Sequence, residues 1–145
     1  MDKKVLRNLS YGVYVVTSKD IDRNVGCIAN SIMQVTSNPS VIAVSINHDN
    51  YTNKVIKENN KFGVSILKET TDAKIIGTFG YKSSKDTDKF DGINFKEISE
   101  IPVLENTCGY MVCKVIDTME TSTHTIFLGE VIEADDYSTE NAMTY

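Results

Sequence analysis

With 145 residues, 41% of them apolar and 24% charged, the chain has the composition of one globular domain large enough to bury a core. A net charge of −5 and the lack of any long basic run argue against a nucleic acid as principal partner, since phosphate contacts need a basic face. The apolar runs fall far short of the ~20 residues that span a bilayer, and MDKKVLRNLS lacks the apolar centre of a signal peptide, so no membrane association and a cytoplasmic location are expected.

Asp2 to Ser10 can form a short helix with Val5, Leu6 and Leu9 on one side. Tyr11 to Ser18 is rich in aromatic and β-branched residues and predicts a strand. The polar stretch Lys19 to Asn24 then predicts a hairpin with a second strand, Val25 to Ser31. In that strand Val25, Cys27 and Ala29 share one face, and Gly26, Ile28 and Asn30 the other. Asn38-Pro39-Ser40 is a turn signal, and the dense run Val41 to Ile46 reads as a third strand, buried on both sides. A wholly polar segment, Asn47 to Thr52, opens a helix over Asn53 to Asn60 with Val55 and Ile56 inward.

Phe62 to Leu67 is the next strand, and Thr70-Thr71-Asp72 offers caps for a second helix, ended near Phe79 by Gly80. Lys82 to Lys89 is charged and hydroxyl-rich without an apolar anchor, the composition of a mobile loop or a lid. Ile93 to Ile98 and Pro102 to Leu104 are short strands, while Gly109 to Thr118 and Thr125 to Ala134 are long ones joined by a turn at Glu120 to His124. In the first long strand Tyr110, Val112, Lys114 and Ile116 are expected on one face. The tail from Asp135 to Tyr145 has no element to tie it down. About six or seven strands with two or three short helices predict a mainly β, antiparallel barrel, closed or nearly so, in one domain spanning 1–145.

The stretch from Val25 to Thr52 carries the candidate site. Small residues (Gly26, Cys27, Ala29, Ser31) line a strand where bulk would keep a flat ligand off the backbone. A polar loop feeding a helix start supplies an anion seat through unpaired N–H groups and the helix dipole. Together they suggest a flat, phosphorylated cofactor. Thr52 is a cap candidate by its own chemistry, and Asn30 and Ser31 are either edge residues or ligand contacts. His124 is either an exposed turn residue or a neighbour of the ligand at a barrel rim, and His48 suits capping or the surface. Glycine-rich phosphate loops, serine nucleophile elbows and metal-ligand spacings are absent, so no metal is expected. Cys27, Cys108 and Cys113 read as free thiols.

The segments YGVYVVTS, CIANSIMQVTSNPSVIAVSI, NYTNKVIKENNKFGVSIL, IGTFGYKSSKDTDKF and THTIFLGEV together resemble the flavin reductase-like, FMN-binding split-barrel family over nearly the whole chain. Within it the likeness is nearest to the flavin domain of high-molecular-weight rubredoxins and more distant to flavoredoxin. The resemblance implies a Greek-key-like split barrel that forms a homodimer with one FMN per protomer. It implies electron flow from reduced nicotinamide, or a redox protein, through FMN to a flavin or a rubredoxin-like partner. It places Cys27, Ile28, Ala29, Asn30 and Ser31 along the ring and ribityl chain, Ser45, Ile46 and Asn47 on the neighbouring wall, and Thr52 at the phosphate. Lys89 would reach the flavin or its phosphate. His124 would stand close to the ring, the single modest catalytic candidate. Two departures stand out: Ser84 and Lys85 replace the glycine and arginine usual in the family's loop, and members continue beyond the point where this sequence stops. Weighed against this reading are a non-catalytic flavin- or haem-type binding module on a related barrel and, disfavoured by the presence of only Arg7 and Arg23, a pyridoxamine-phosphate-oxidase-like enzyme.

Overall fold

The computed structural model describes residues 1–137 and 140–145. A short 3-10 helix (Lys3–Asn8), capped by Asp2, precedes β1 (Tyr14–Asp20) and β2 (Arg23–Ala29). Then come β3 (Ile32–Ser37), β4 (Ser40–Asn47), α1 (Tyr51–Asn59), β5 (Lys61–Ile66) and α2 (Ala73–Tyr81). β6 (Phe95–Ile98), β7 (Ile101–Leu104), β8 (Gly109–Glu120) and β9 (His124–Asp136) complete the order. Seven strands form one antiparallel sheet in the order β2-β1-β5-β8-β9-β4-β3, and β6 pairs with β7 separately. The sheet curls, with β2 and β3 as its two edges, so the barrel is split between them rather than closed. No helix among the described residues is long and apolar enough to cross a membrane.

The barrel interior is filled by Val16, Cys27, Val44, Ile46, Val64, Cys113 and Phe127, with Ile56 of α1 and Phe62 of β5. The inward placement of Val55 and Ile56 holds: each is at most 1% exposed. On the outer side, α2 and the segments after it cover β1 and β2 through Val15, Leu67, Phe79, Phe90 and Leu104. The alternation expected along β2 is visible here, with Cys27 and Ala29 toward the barrel and Ile28 toward α2.

Several expected elements change. Ile32–Ser37, between the expected second strand and the Asn38-Pro39 turn, is an edge strand paired with β4, and its side chains stay exposed beyond Ile32. The Asn38-Pro39 bond in the turn is cis. Gly80 does not end α2 but lies inside it, facing Ile28; Lys82 is the C-cap. The face expected along β8 holds at Tyr110 and Val112, but the β8–β9 register skips Ile116, which is 53% exposed. The apolar side of the N-terminal helix is not buried either: Val5, Leu6 and Leu9 are 57–63% exposed.

The tail is tied down, contrary to its composition. Met143 N–H donates to the Leu67 carbonyl at 2.8 Å and Tyr145 N–H to that of Tyr11 at 2.9 Å. Lys68 pairs with Glu140 at 2.9 Å, and Met143 packs against the outer cluster. Residues 138 and 139 of that tail lie outside the described ones. Cys27, Cys108 and Cys113 are free and buried, and burial pushes the Cys113 thiol up to about 12.

Gly129 of β9 faces the ring of Phe62, and a Cβ there would come within 2.5 Å of the ring and 2.8 Å of Cys113 Cβ. Gly129→Ala should therefore cost about 1–3 kcal/mol by overpacking a filled barrel. An unchanged urea midpoint would show that Phe62 has room to move.

Candidate functional site

β4 is the spine of the site. Ser45 N–H donates to the Ser31 carbonyl at 3.0 Å, which draws the corner between β2 and β3 onto β4. Asn47, the last residue of β4, stands opposite His124, the first of β9. Ala29–Ser31, Ser45–Asn47 and His124 therefore follow one another across the rim of the sheet. Asn30 and Ser31 belong to neither flanking strand, and Ser31 Oγ donates to Asn30 Oδ1 at 3.1 Å. The corner thus lies outside the ladders that pair the N–H groups of β2 and β3. The side chains divide: Ile46 is in the barrel core, Ile28 faces α2, and Ser45 and Asn30 are half-buried.

The start of α1 adjoins this rim. Asn50, not Thr52, is the N-cap: its Oδ1 accepts from Thr52 N–H at 3.1 Å. Thr52 lies inside the first turn, fully buried. The Asn53 amide, missed in the sequence, donates to the Ile46 carbonyl at 3.0 Å and so locks the helix start to the end of β4. The Thr52 hydroxyl has no hydrogen-bond partner. Its polar neighbour is the Cys27 thiol, a weak partner whose contact falls short of hydrogen-bond geometry; burial pushes that thiol up to about 11, against the nearby Lys89 charge and the Thr52 and Asn50 side chains. A buried hydroxyl without a partner costs roughly 1–3 kcal/mol, so its presence calls for a ligand or a reason. The donor chemistry here suits an anionic group, provided the Asn50 amide, which now fills the cap, gives up the Thr52 N–H.

Gly26 and Lys89 lie on the α2 side of β2, and Cys27 on its barrel side. Gly26 is covered by α2 and the following loop, its missing Cβ leaving room for Phe79 at 3.1 Å. Ser84 Oγ accepts from Gly26 N–H at 3.1 Å and donates to Gly26 O at 3.0 Å. Lys89 Nζ donates to Gly26 O at 2.8 Å and to Phe79 O at 3.1 Å. The lysine is 2% exposed, and desolvation lowers its pKa, partly opposed by Cys27. Loop 82–89 is thus a latch on the free edge of β2, not a mobile lid. Its anchors are polar, which is why an apolar pattern could not reveal them. Cys27 is 1% exposed and backs Thr52 from inside the barrel.

His124 is half-buried, and Thr123 Oγ1 lies 2.8 Å from its Nδ1. His48 is on the surface, as its sequence context suggests, with Nε2 2.8 Å from a Glu120 carboxylate oxygen. Beside the corner, a groove of about 420 Å³ is lined by Tyr14, Ile32, Met33, Ile42, Met111 and Val131. A separate cavity of about 260 Å³, with Leu67, Asp72, Ile75 and Thr107 among its lining, takes no residue from the rim.

A family model described as the flavin reductase like domain matches residues 6–145. The chain is 41% identical over its full length to a high molecular weight rubredoxin of Moorella thermoacetica, of which it spans 64%. It is 37% identical to a ferric-chelate reductase (NAD(P)H) of Archaeoglobus fulgidus, again over its whole length and 87% of that protein. Among solved structures, the NADH:FAD oxidoreductase of Streptomyces globisporus C-1027 superposes with a TM-score of 0.90 at 26% identity, over 99% of this chain and 86% of that one.

Ser84→Ala takes the partner from the buried Gly26 N–H and leaves its carbonyl to Lys89 alone. It should lower stability by about 1–3 kcal/mol and open loop 82–89 to a protease. Wild-type cleavage rates and stability would mean that Lys89 alone holds the latch.

Proposed function

The chain belongs to the flavin reductase-like domain family, and from that premise we propose that it is an FMN-dependent oxidoreductase that takes a hydride from reduced nicotinamide. The flavin, when bound, supplies the two-electron redox chemistry, while the chain supplies seat, orientation and electrostatics. The observation that carries this reading is the unsatisfied Thr52 hydroxyl, buried at the start of α1 and adjoining the rim of Ala29–Ser31, Ser45–Asn47 and His124. One helix start fits the single terminal phosphate of FMN, with Thr52 and Asn50 as its holders. The N–H groups of the Asn30–Ser31 corner suit the polar edge of the ring, where they favour the charge of the reduced form. Ile28, Ala29, Ser45, Ile46 and Asn47 complete the walls through backbone or half-buried side chains. Cys27 and Lys89 act from behind, as packing and as the latch on β2. His124, with Thr123 on its Nδ1, steers the nicotinamide.

The onward acceptor is free flavin or a rubredoxin-like partner, a reading that the likeness to a protein named a rubredoxin supports. The working form is a homodimer in the cytoplasm. The bare edge of β3, with Met33 63% and Val35 45% exposed, and the apolar groove beside it support a second copy there.

The chain loaded with FMN should show one flavin per protomer, bleach rapidly with reduced nicotinamide, and scatter light as twice the chain mass. Persistent yellow colour under anaerobic nicotinamide would overturn the enzymatic reading. Thr52→Val removes a hydroxyl that is unsatisfied without ligand, so the apo protein should be as stable as wild type or slightly more so. The same change should weaken FMN by on the order of tenfold, the value of one hydrogen bond to a charged group. Equal FMN affinity in the two proteins would move the phosphate elsewhere.

A further inference from the structure

The turn that carries His124 is joined to the β4–α1 loop and to the last turn of α1 by a polar network that the flavin reading does not use. Glu120, the last residue of β8, is its centre. One carboxylate oxygen accepts from Lys57 Nζ of α1 at 3.0 Å, and the other lies 2.8 Å from His48 Nε2 in the β4–α1 loop. Thr125 Oγ1, next in sequence to His124, reaches both oxygens at 3.0 Å. The backbone repeats the link, since His48 N–H donates to the Thr123 carbonyl at 2.9 Å. Inside the turn, Thr121 N–H and Oγ1 both donate to the His124 carbonyl at 2.8 Å.

Exposed ion pairs contribute little to global stability, and the Glu120, Lys57 and His48 side chains are 34–52% exposed. What four contacts on one carboxylate do supply is geometry. The β4–β9 ladder sets His124 opposite Asn47, and the carboxylate contacts add side-chain ties from the β8–β9 turn to His48 and to Lys57 of α1. Lys57, aided by Thr125 and His48 and against a smaller desolvation effect, holds the Glu120 carboxyl below its usual range. The carboxylate is therefore charged through neutral pH, and its contacts weaken only as pH falls through that lowered value.

We propose that Glu120 is a positioning residue: its carboxylate joins the β4–α1 loop, α1 and the beginning of β9, and so sets where His124 stands relative to the helix start at Asn50–Thr52. This rests on the role given above to His124. Because the pair lies at the rim, its effect falls on the approach of the nicotinamide and not on the fold, and misplacement of a steering group by ~1 Å is enough to slow a hydride transfer substantially.

The test is a double-mutant cycle on the FMN-loaded protein, following reduction of bound flavin by saturating reduced nicotinamide in a stopped-flow instrument. Glu120→Gln and His124→Ala should each slow reduction by on the order of tenfold, and the double variant should be no slower than His124→Ala alone. The imidazole NMR signals of His124 should shift in Glu120→Gln while its melting temperature stays within a few degrees of wild type. Lys57→Gln, which removes one arm only, should slow reduction in the same direction by less. Independent, multiplying effects in the double variant would overturn the proposal, as would wild-type rates in Glu120→Gln beside a slow His124→Ala. A wild-type rate in His124→Ala would instead remove the role of the histidine itself, leaving Glu120 nothing to act through.

Discussion

An antiparallel sheet that curls without closing leaves two rows of unpaired backbone groups, and this chain treats them differently. Along β2 the free edge is sealed by side chains. Ser84 serves both polar groups of Gly26, and Lys89 adds a charge-assisted bond to the same carbonyl. The seal draws α2 and its following loop onto β2, and that packing builds the outer hydrophobic layer around Phe79 and Phe90. With the middle of β2 held at Gly26, the strand exits at Ala29 into the Asn30–Ser31 corner and from there meets β4. The rim inherits its shape from that sequence of constraints.

The strands that bury apolar side chains on a regular period were legible in the sequence, as were α1 and the inward pair Val55 and Ile56. Of the segments proposed for the site, Ala29–Ser31 and Thr52 stand out in the sequence by their small or polar residues and capping chemistry, whereas Ser45–Asn47 rests on the family resemblance. What escaped was structure held by polar contacts or by edges. β3 has no buried face beyond Ile32, so its Met-Gln-Val-Thr-Ser run carries no alternation that a burial pattern could reveal. Loop 82–89 and the tail are fastened by hydroxyl, ammonium and backbone bonds, and hydropathy does not register these. The cap at Asn50 was displaced by the equally plausible Thr52, since two capping side chains stand two residues apart and only one can lie outside the helix. Along β8 the skipped pairing at Ile116 ended an alternation that is regular up to Val115.

The buried polar atoms divide along the same line. Asn53, Ser65, Thr17 and Ser84 are each satisfied by a backbone group and join one element to another. The Thr52 hydroxyl, in the same buried shell, joins nothing. Asn24 Oδ1 and Tyr137 Oη are also buried without a hydrogen-bond partner, and the Thr52 hydroxyl differs from them in lying in the first turn of α1, where the helix dipole is positive.

The unequal treatment of the two edges also sets a limit on growth. A sheet that is open on both sides can add copies without end, each new strand offering the next template, which is the geometry of a fibre. Here the latch on Gly26 withdraws one of the two templates. A molecule with one remaining template can pair with a second copy across a twofold axis, and then has no edge left to offer.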